Sequence, residues 1–166
     1  TTHFPNKYPP FVREATSHFV RKGKHYLITS GTTGYMPNPS EVAIADTWHG
    51  PYTVLGNPHP QDESHTSYHS QISCVFKVEG KKDLYIAMAD RWLPELMDYK
   101  YERYAKAFEQ LFNPDYEGER IDMGKEFGDD SKRNTSVANY VWLPFRFDGE
   151  MAYLDWKEEW RIEDYE

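Results

Sequence analysis

Cysteine is nearly missing from this sequence. Cys74 stands alone among 166 residues, so no intrachain disulfide framework can form and the redox compartment stays open. Long apolar runs are missing too. None approaches the roughly 18 to 20 residues that a membrane-crossing helix needs, and no signal-peptide pattern is present, so no membrane partner is expected. Positive charge is in short supply: 19 Lys and Arg face 27 Asp and Glu, a formal net charge of −8 with an isoelectric point of about 5.4. A nucleic-acid surface needs clustered cations, so that partner is set aside and a neutral one is expected. What the chain does have is 39% hydrophobic and 16% aromatic residues, which suits a single globular domain with a buried core. It opens on Thr1-Thr2 rather than Met, as an excerpt or a processed product would.

The organisation is repetitive. Residues 16–21 and 24–30 run apolar or alternate around Lys22-Gly23, which predicts two strands joined by a tight turn. Short runs at Glu41–Ala45 and Tyr52–Leu55, separated by Gly50-Pro51, complete four strands. The pattern then restarts: "SCVFKVEGKKDLYIAMAD" repeats strand, glycine turn and strand, with Gly80 lying 57 residues after Gly23 (80 − 23). "YVWLPFRFDGEMAYLDW" is expected to supply the third and fourth strands of that second unit, turning at Asp148-Gly149. Four-stranded units at such a period predict the blades of a β-propeller. Between the strands of the second unit, Met97, Tyr101, Tyr104, Phe108 and Leu111 fall at three- and four-residue steps after Pro94, which predicts an amphipathic helix over 93–112. Residues 113–138 are polar and expected as loop.

The repeat aligns an acid with an amide. Glu14 lies nine residues before Gly23, and Gln71 lies nine before Gly80. If the first strand of each blade is innermost, both side chains face a common axial cavity. Thr32 and Asp90, 58 residues apart, are aligned on the assumption of one extra residue in the second turn. Two blades do not close a ring, so other blades, from the same protein or a companion chain, are the expected partners.

On "REATSHF", "TSGTTGYMPN", "HSQISCVF", "ADRW" and "YVWLPFRFDGEMAYLDW", the sequence resembles the C-terminal half of a glycoside hydrolase family 43 catalytic domain. It is most similar to the branch containing exo-β-1,3-galactanases and related β-galactosidases. The resemblance covers nearly the whole chain, 1–166, apart from the insertion at about 93–138. It implies an all-β fold, a partial five-bladed propeller of about two to three four-stranded blades interrupted by that helical insertion, as part of one glycosidase domain. It also implies an inverting hydrolase acting on terminal β-galactosyl linkages of an oligo- or polysaccharide. Arabinofuranosidase or xylosidase activity and a non-catalytic carbohydrate-binding propeller piece are the alternatives. Export to the periplasm or the outside is favoured by the resemblance only.

By the same resemblance Glu14 takes the general acid's place. A carboxyl in a partly desolvated axial cavity near other acids holds its proton more readily, which suits the role; the plain alternative is an ion pair with Arg13 or a loop cation at a strand end. Gln71 matches a branch-specific glutamine that positions water or a sugar hydroxyl, or works through an imidic-acid form, and the usual base belongs to earlier blades. Thr32, Tyr35 and Asn38 share a loop expected to meet sugar hydroxyls and a pyranose face, although relatives often carry Trp at the position of Tyr35. Asp90 and Trp92 match the family's "ADRW" and suit hydroxyl binding and stacking, with an Arg91–Asp90 ion pair as the plain reading. His59, His65 and His69 fit no strong zinc spacing. No cofactor is required and no metal ligand assigned, with a structural calcium near His69 as the one candidate. Trp142, Trp156 and Trp160 are expected as packing residues.

Overall fold

The computed structural model describes residues 12–166. Strands β1 (Arg13–Arg21), β2 (Lys24–Gly31), β3 (Glu41–Ala45) and β4 (Thr53–Gly56) form an antiparallel sheet in sequence order. Lys22 and Gly23 both hold positive φ, 50° and 77°, which gives the two-residue turn whose twist matches its flanking strands. Along β1, Ser17, Phe19 and Arg21 are buried while Val20 is exposed, the period-two pattern of a half-buried strand. Phe19, Tyr26 and Ile44 stand opposite one another across three strands and carry the inner face.

The second sheet holds β5 (Gln71–Lys77), β6 (Tyr85–Arg91) and β7 (Asn139–Pro144). Ile72, Val75, Ala87, Ala89, Val141 and Leu143 form its inner face and share one core with Phe19, Tyr26, Ile28 and Val42 of the first sheet. The two innermost strands, β1 and β5, lie side by side, and both sheets are open.

The expected fourth strand of this unit is not there. Residues Arg146–Asp148 (β8) and Met151–Tyr153 (β9) pair only with each other, as a separate hairpin. The physical reason is aromatic burial. Phe145 and Phe147 stack at 5.8 Å and turn toward Phe19, with centroids at 5.5 and 6.3 Å, and Tyr26 Oη donates to the Glu150 carbonyl at 2.9 Å. Burying Phe145 and partly covering Phe147 against the core outweighs a short edge pairing. Trp142 and Trp156, expected as core or inter-blade packing residues, are 46% and 36% exposed while packing against Phe76 and Tyr68, with ring centroids 6.0 and 5.2 Å apart.

Within the insertion, α1 runs Tyr101–Phe112 and α2 runs Met123–Phe127. The helix starts later than the spacing predicts because its first residues are bonded elsewhere. The Tyr99 carbonyl meets His69 Nε2 at 2.9 Å, and Tyr101 N–H donates to the Ser64 carbonyl at 3.0 Å. Met36, Leu93, Tyr104, Ala107, Ile121 and Phe127 form a second core beneath it. Among the described residues no helix is long and apolar enough to cross a membrane.

Candidate functional site

Both strands that lead into the site are bulged at that end. In β1 the register slips between Glu14 and Ser17, with Ala15 at φ 49°; in β5 it slips between Ile72 and Cys74. A bulge re-aims the side chains next to it. Glu14 and Gln71, the acid and amide aligned from the repeat, meet here: Gln71 Nε2 donates to Glu14 Oε1 at 3.3 Å and to Ser30 Oγ at 2.8 Å. On the other side of the amide, Trp92 Nε1 donates to Gln71 Oε1 at 3.0 Å. An indole N–H can only donate, so it dictates which end of the amide faces it. The Gln71 N–H groups are thereby turned toward Glu14.

Arg13 does not pair with Glu14. Its guanidinium donates to the carbonyls of Thr29 and Pro39 at 2.8 and 2.9 Å and lies 3.7 Å from Glu41. Nor does Arg91 pair with Asp90. Adjacent residues of a strand point to opposite faces, and Arg91 donates to the Tyr68 carbonyl at 3.0 Å, with its charge 5.9 Å from the Trp156 ring centroid. Burial lowers its pKa. The Asp90 carboxylate has no protein hydrogen-bond partner among the described residues.

Gln71, Asp90, Tyr35, Asn38 and Trp92 line one hollow, together with Ser30 and His69. Its free volume is about 10 Å³, room for one water rather than a sugar ring. The rings of Tyr35 and Trp92 stand 5.8 Å apart, inclined at 57°, at its mouth. Asn38 is committed to its loop: Oδ1 accepts from Gly31 N–H at 2.6 Å, and Nδ2 donates to the Gly31 carbonyl and to Thr33 Oγ1. Thr32 is exposed outside the hollow and donates to the Val12 carbonyl at 3.0 Å.

Strand register corrects the counting that aligned Thr32 with Asp90. Glu14 faces Ser30 across β1 and β2, and Gln71 faces Asp90 across β5 and β6, so Ser30 is the counterpart of Asp90. The second hairpin's loop is longer than a single added residue allows, since β5 ends at Lys77 and β6 begins only at Tyr85. Ser30 is the site residue that sequence reasoning missed.

A second missed feature is the segment leading into Gln71. His65, Ser67, Tyr68 and His69 all hold φ between 53° and 57°, a left-handed run that side chains with a Cβ rarely adopt. Asp62 holds it. Asp62 Oδ2 accepts from the N–H groups of Thr66 and Tyr68 at 2.7 and 3.1 Å, Oδ1 accepts from Ser64 N–H at 3.2 Å, and the Ser64 hydroxyl adds a further bond. Burial pushes the Asp62 pKa up, but the bonds from Ser64, Tyr68 and Thr66 overcome it, and the net shift is downward. Ser67 Oγ then ties the turn to Ser40 and to the Asn38 carbonyl.

The three histidines do not converge. His59 is buried edge-on against Tyr68, His65 Nδ1 lies 2.6 Å from Glu102, and His69 faces the Tyr99 carbonyl. Among the described residues no group of three or more His, Cys, Asp or Glu is placed to hold a metal ion.

No protein-family model matches the sequence, and comparison with curated proteins gives no match. Solved structures do match. A glycoside hydrolase family 43 β-1,3-galactosidase superposes with a TM-score of 0.65 at 24% identity, over 92% of this chain and 24% of that one. A second, solved with galactodeoxynojirimycin, gives 0.63 at 22% identity over 90% and 32%. The fold is that of these family 43 proteins. An exo-β-1,3-galactanase from Clostridium thermocellum agrees, with a TM-score of 0.53 and 24% identity over 88% of this chain and 24% of its own. The chain spans about a quarter to a third of the length of these structures.

Proposed function

We propose that this chain carries the acid-bearing part of an inverting glycoside hydrolase that releases terminal β-galactosyl units from β-1,3-linked galactan. One observation carries the reading: an acid and an amide from the first strands of two successive sheets, Glu14 and Gln71, meet at 3.3 Å beside a hollow lined by Asp90, Tyr35 and Trp92. Glu14 protonates the leaving glycosidic oxygen. While it is protonated, its carbonyl oxygen accepts the Gln71 N–H and its O–H is left for the sugar.

Inversion needs an acid and a base about 6.5 to 9.5 Å apart. Gln71 is in contact with Glu14, so it does not stand where the base stands. Its work is to orient Glu14 and to hold a water or a sugar hydroxyl in the one-water hollow. The base comes from parts of the five-bladed ring outside this chain. The exposed Tyr140 and Trp142 on the outer face of the second sheet suit packing by a further blade. A galactose ring lies over the hollow rather than within it, stacked on Tyr35 and Trp92, with hydroxyls directed to Asp90. Asn38 keeps the loop in shape, and Thr32 reaches the sugar only by releasing Val12.

The test is Glu14→Gln in the full-length protein. Hydrolysis of β-1,3-galactan and of an aryl β-galactoside is expected to fall by about 10³-fold or more, with galactose binding by calorimetry kept. Unchanged turnover would remove Glu14 from the mechanism. Cleavage of an α-arabinofuranoside or β-xyloside in preference to the galactoside would move the reading to another sugar. Binding with no turnover by the unaltered protein would make it a carbohydrate-binding propeller.

A further inference from the structure

We propose that the cleft beneath the helical insertion is a second sugar subsite, which holds the units of a galactan chain beyond the one over the Gln71 hollow. This rests on the glycosidase reading above and extends it, because it makes residues 93–138 a determinant of chain-length preference.

The insertion is fastened over the site end of both sheets. Tyr101 N–H reaches the Ser64 carbonyl, the Tyr99 carbonyl meets His69, and Glu102 meets His65. Arg133 Nη2 lies 3.4 Å from Met36 Sδ, and the core under α1 includes Met36 with Trp92 packed against it. These anchors lie on the loops that carry Asn38 and His69, the second of which leads into Gln71 at the start of β5, so the cleft's place relative to the hollow is set by the fold.

Met36 lines both spaces, so they adjoin at that side chain. The cleft measures about 650 Å³, within the roughly 300 to 1,000 Å³ usual for ligand sites. Its charges balance: Glu95, Asp98 and Glu126 stand against Lys100, Arg103 and Arg133. Arg103 is already bonded to Glu119 and Glu126. Such a lining offers no net attraction for a phosphate or another anion. Tyr99, Phe127 and Leu96 add apolar surface among the polar groups. Hydrogen-bonding groups around ring-sized apolar surface, without net charge, fit a neutral ligand that has both hydroxyls and C–H faces, which is a pyranose chain.

The experiment is calorimetric titration of the full-length protein with galactose and with β-1,3-linked galacto-oligosaccharides of two to four units. Affinity is expected to rise about tenfold or more with length in the unaltered protein. Leu96→Trp, which fills the cleft, is expected to reduce tetrasaccharide affinity to near that of galactose and to leave galactose unchanged. Lys100→Ala, an exposed change that spares the core, is expected to reduce the length-dependent gain about threefold. Galactose binding with no dependence on length, or a gain that survives both substitutions, overturns the subsite and leaves the glycosidase reading standing. Failure to bind any of the sugars overturns that reading, and the subsite with it.

Discussion

A single buried ring, His59, sets part of the pH response. Its side chain is 2% exposed, Nδ1 has no hydrogen-bond partner, and the Tyr68 ring stands edge-on at 4.9 Å. Burial pulls its pKa from 6.5 down to about 4, against a smaller opposing pull from Asp62. Between those values the unfolded chain binds a proton that the folded chain refuses. Stability is therefore full above pH 6.5 and is lost as pH falls toward 4. From pH 7 to pH 5 the loss is about 2 kcal/mol. His18 is also shifted downward, by burial and by its neighbour His25, but it is largely solvated and adds little. Urea denaturation at the two pH values is expected to show the loss in the unaltered protein and to show most of it gone in His59→Gln. An equal loss in both proteins would place the proton elsewhere.

At the scale of elements, the strands were legible and the turns between them were less so. Alternation in Ser17-His18-Phe19-Val20-Arg21 and the Lys22-Gly23 turn expose β1 and β2 directly, because burial of one face imposes a period of two. The acid and amide that converge were legible for the same reason, since both sit nine residues before a turn glycine. Ser30 was not, because its place depends on the length of a distant hairpin loop. Nor was the left-handed run, since Ser67-Tyr68-His69 contains none of the Gly, Asn or Asp that usually betrays positive φ. That run exists because Asp62 gathers its amides. Asp62→Ala is expected to cost about 2 to 4 kcal/mol, the scale for removing several hydrogen bonds from a buried carboxylate. It is also expected to raise hydrogen exchange at 64–70 ahead of the sheets and to lower hydrolysis, because Gln71 follows directly. The folded carboxylate's lowered pKa adds a sign: its contribution is present above about pH 4 and lost below. Protection at 64–70 unchanged in Asp62→Ala would show that the serine ties to residues 38–40 hold the turn alone.

Across the whole molecule, one arginine joins the first sheet, the second sheet's turn and the hairpin that replaced the expected fourth strand. Arg21, at the end of β1, donates through Nε to both oxygens of Asp83 at 2.9 and 3.1 Å and lies over the Phe147 ring at 3.8 Å. An arginine ending a β-strand gives no sign of this in sequence, because Asp83 and Phe147 are 62 and 126 residues away (83 − 21 and 147 − 21). The hairpin was misread for the same reason: its alternation suits an edge strand equally well, and only the rings of Phe19 and Tyr26 decide between the two. The Asp83 carboxyl is held below its usual pKa chiefly by the Arg21 hydrogen bond, so the pair stabilises the fold above about pH 4 and stops doing so as pH falls through the carboxylate range. Arg21 is 8% exposed but Asp83 is partly open to solvent, so the cost of Arg21→Met falls below that of a fully buried pair, at about 1 to 3 kcal/mol. Asp83→Asn leaves the cation over its ring and is expected to cost less. The two losses measured together should not add, because they remove the same contact. Full additivity in the double variant, by denaturation at pH 7, would mean that the sheets are held together by their shared apolar core without this tie.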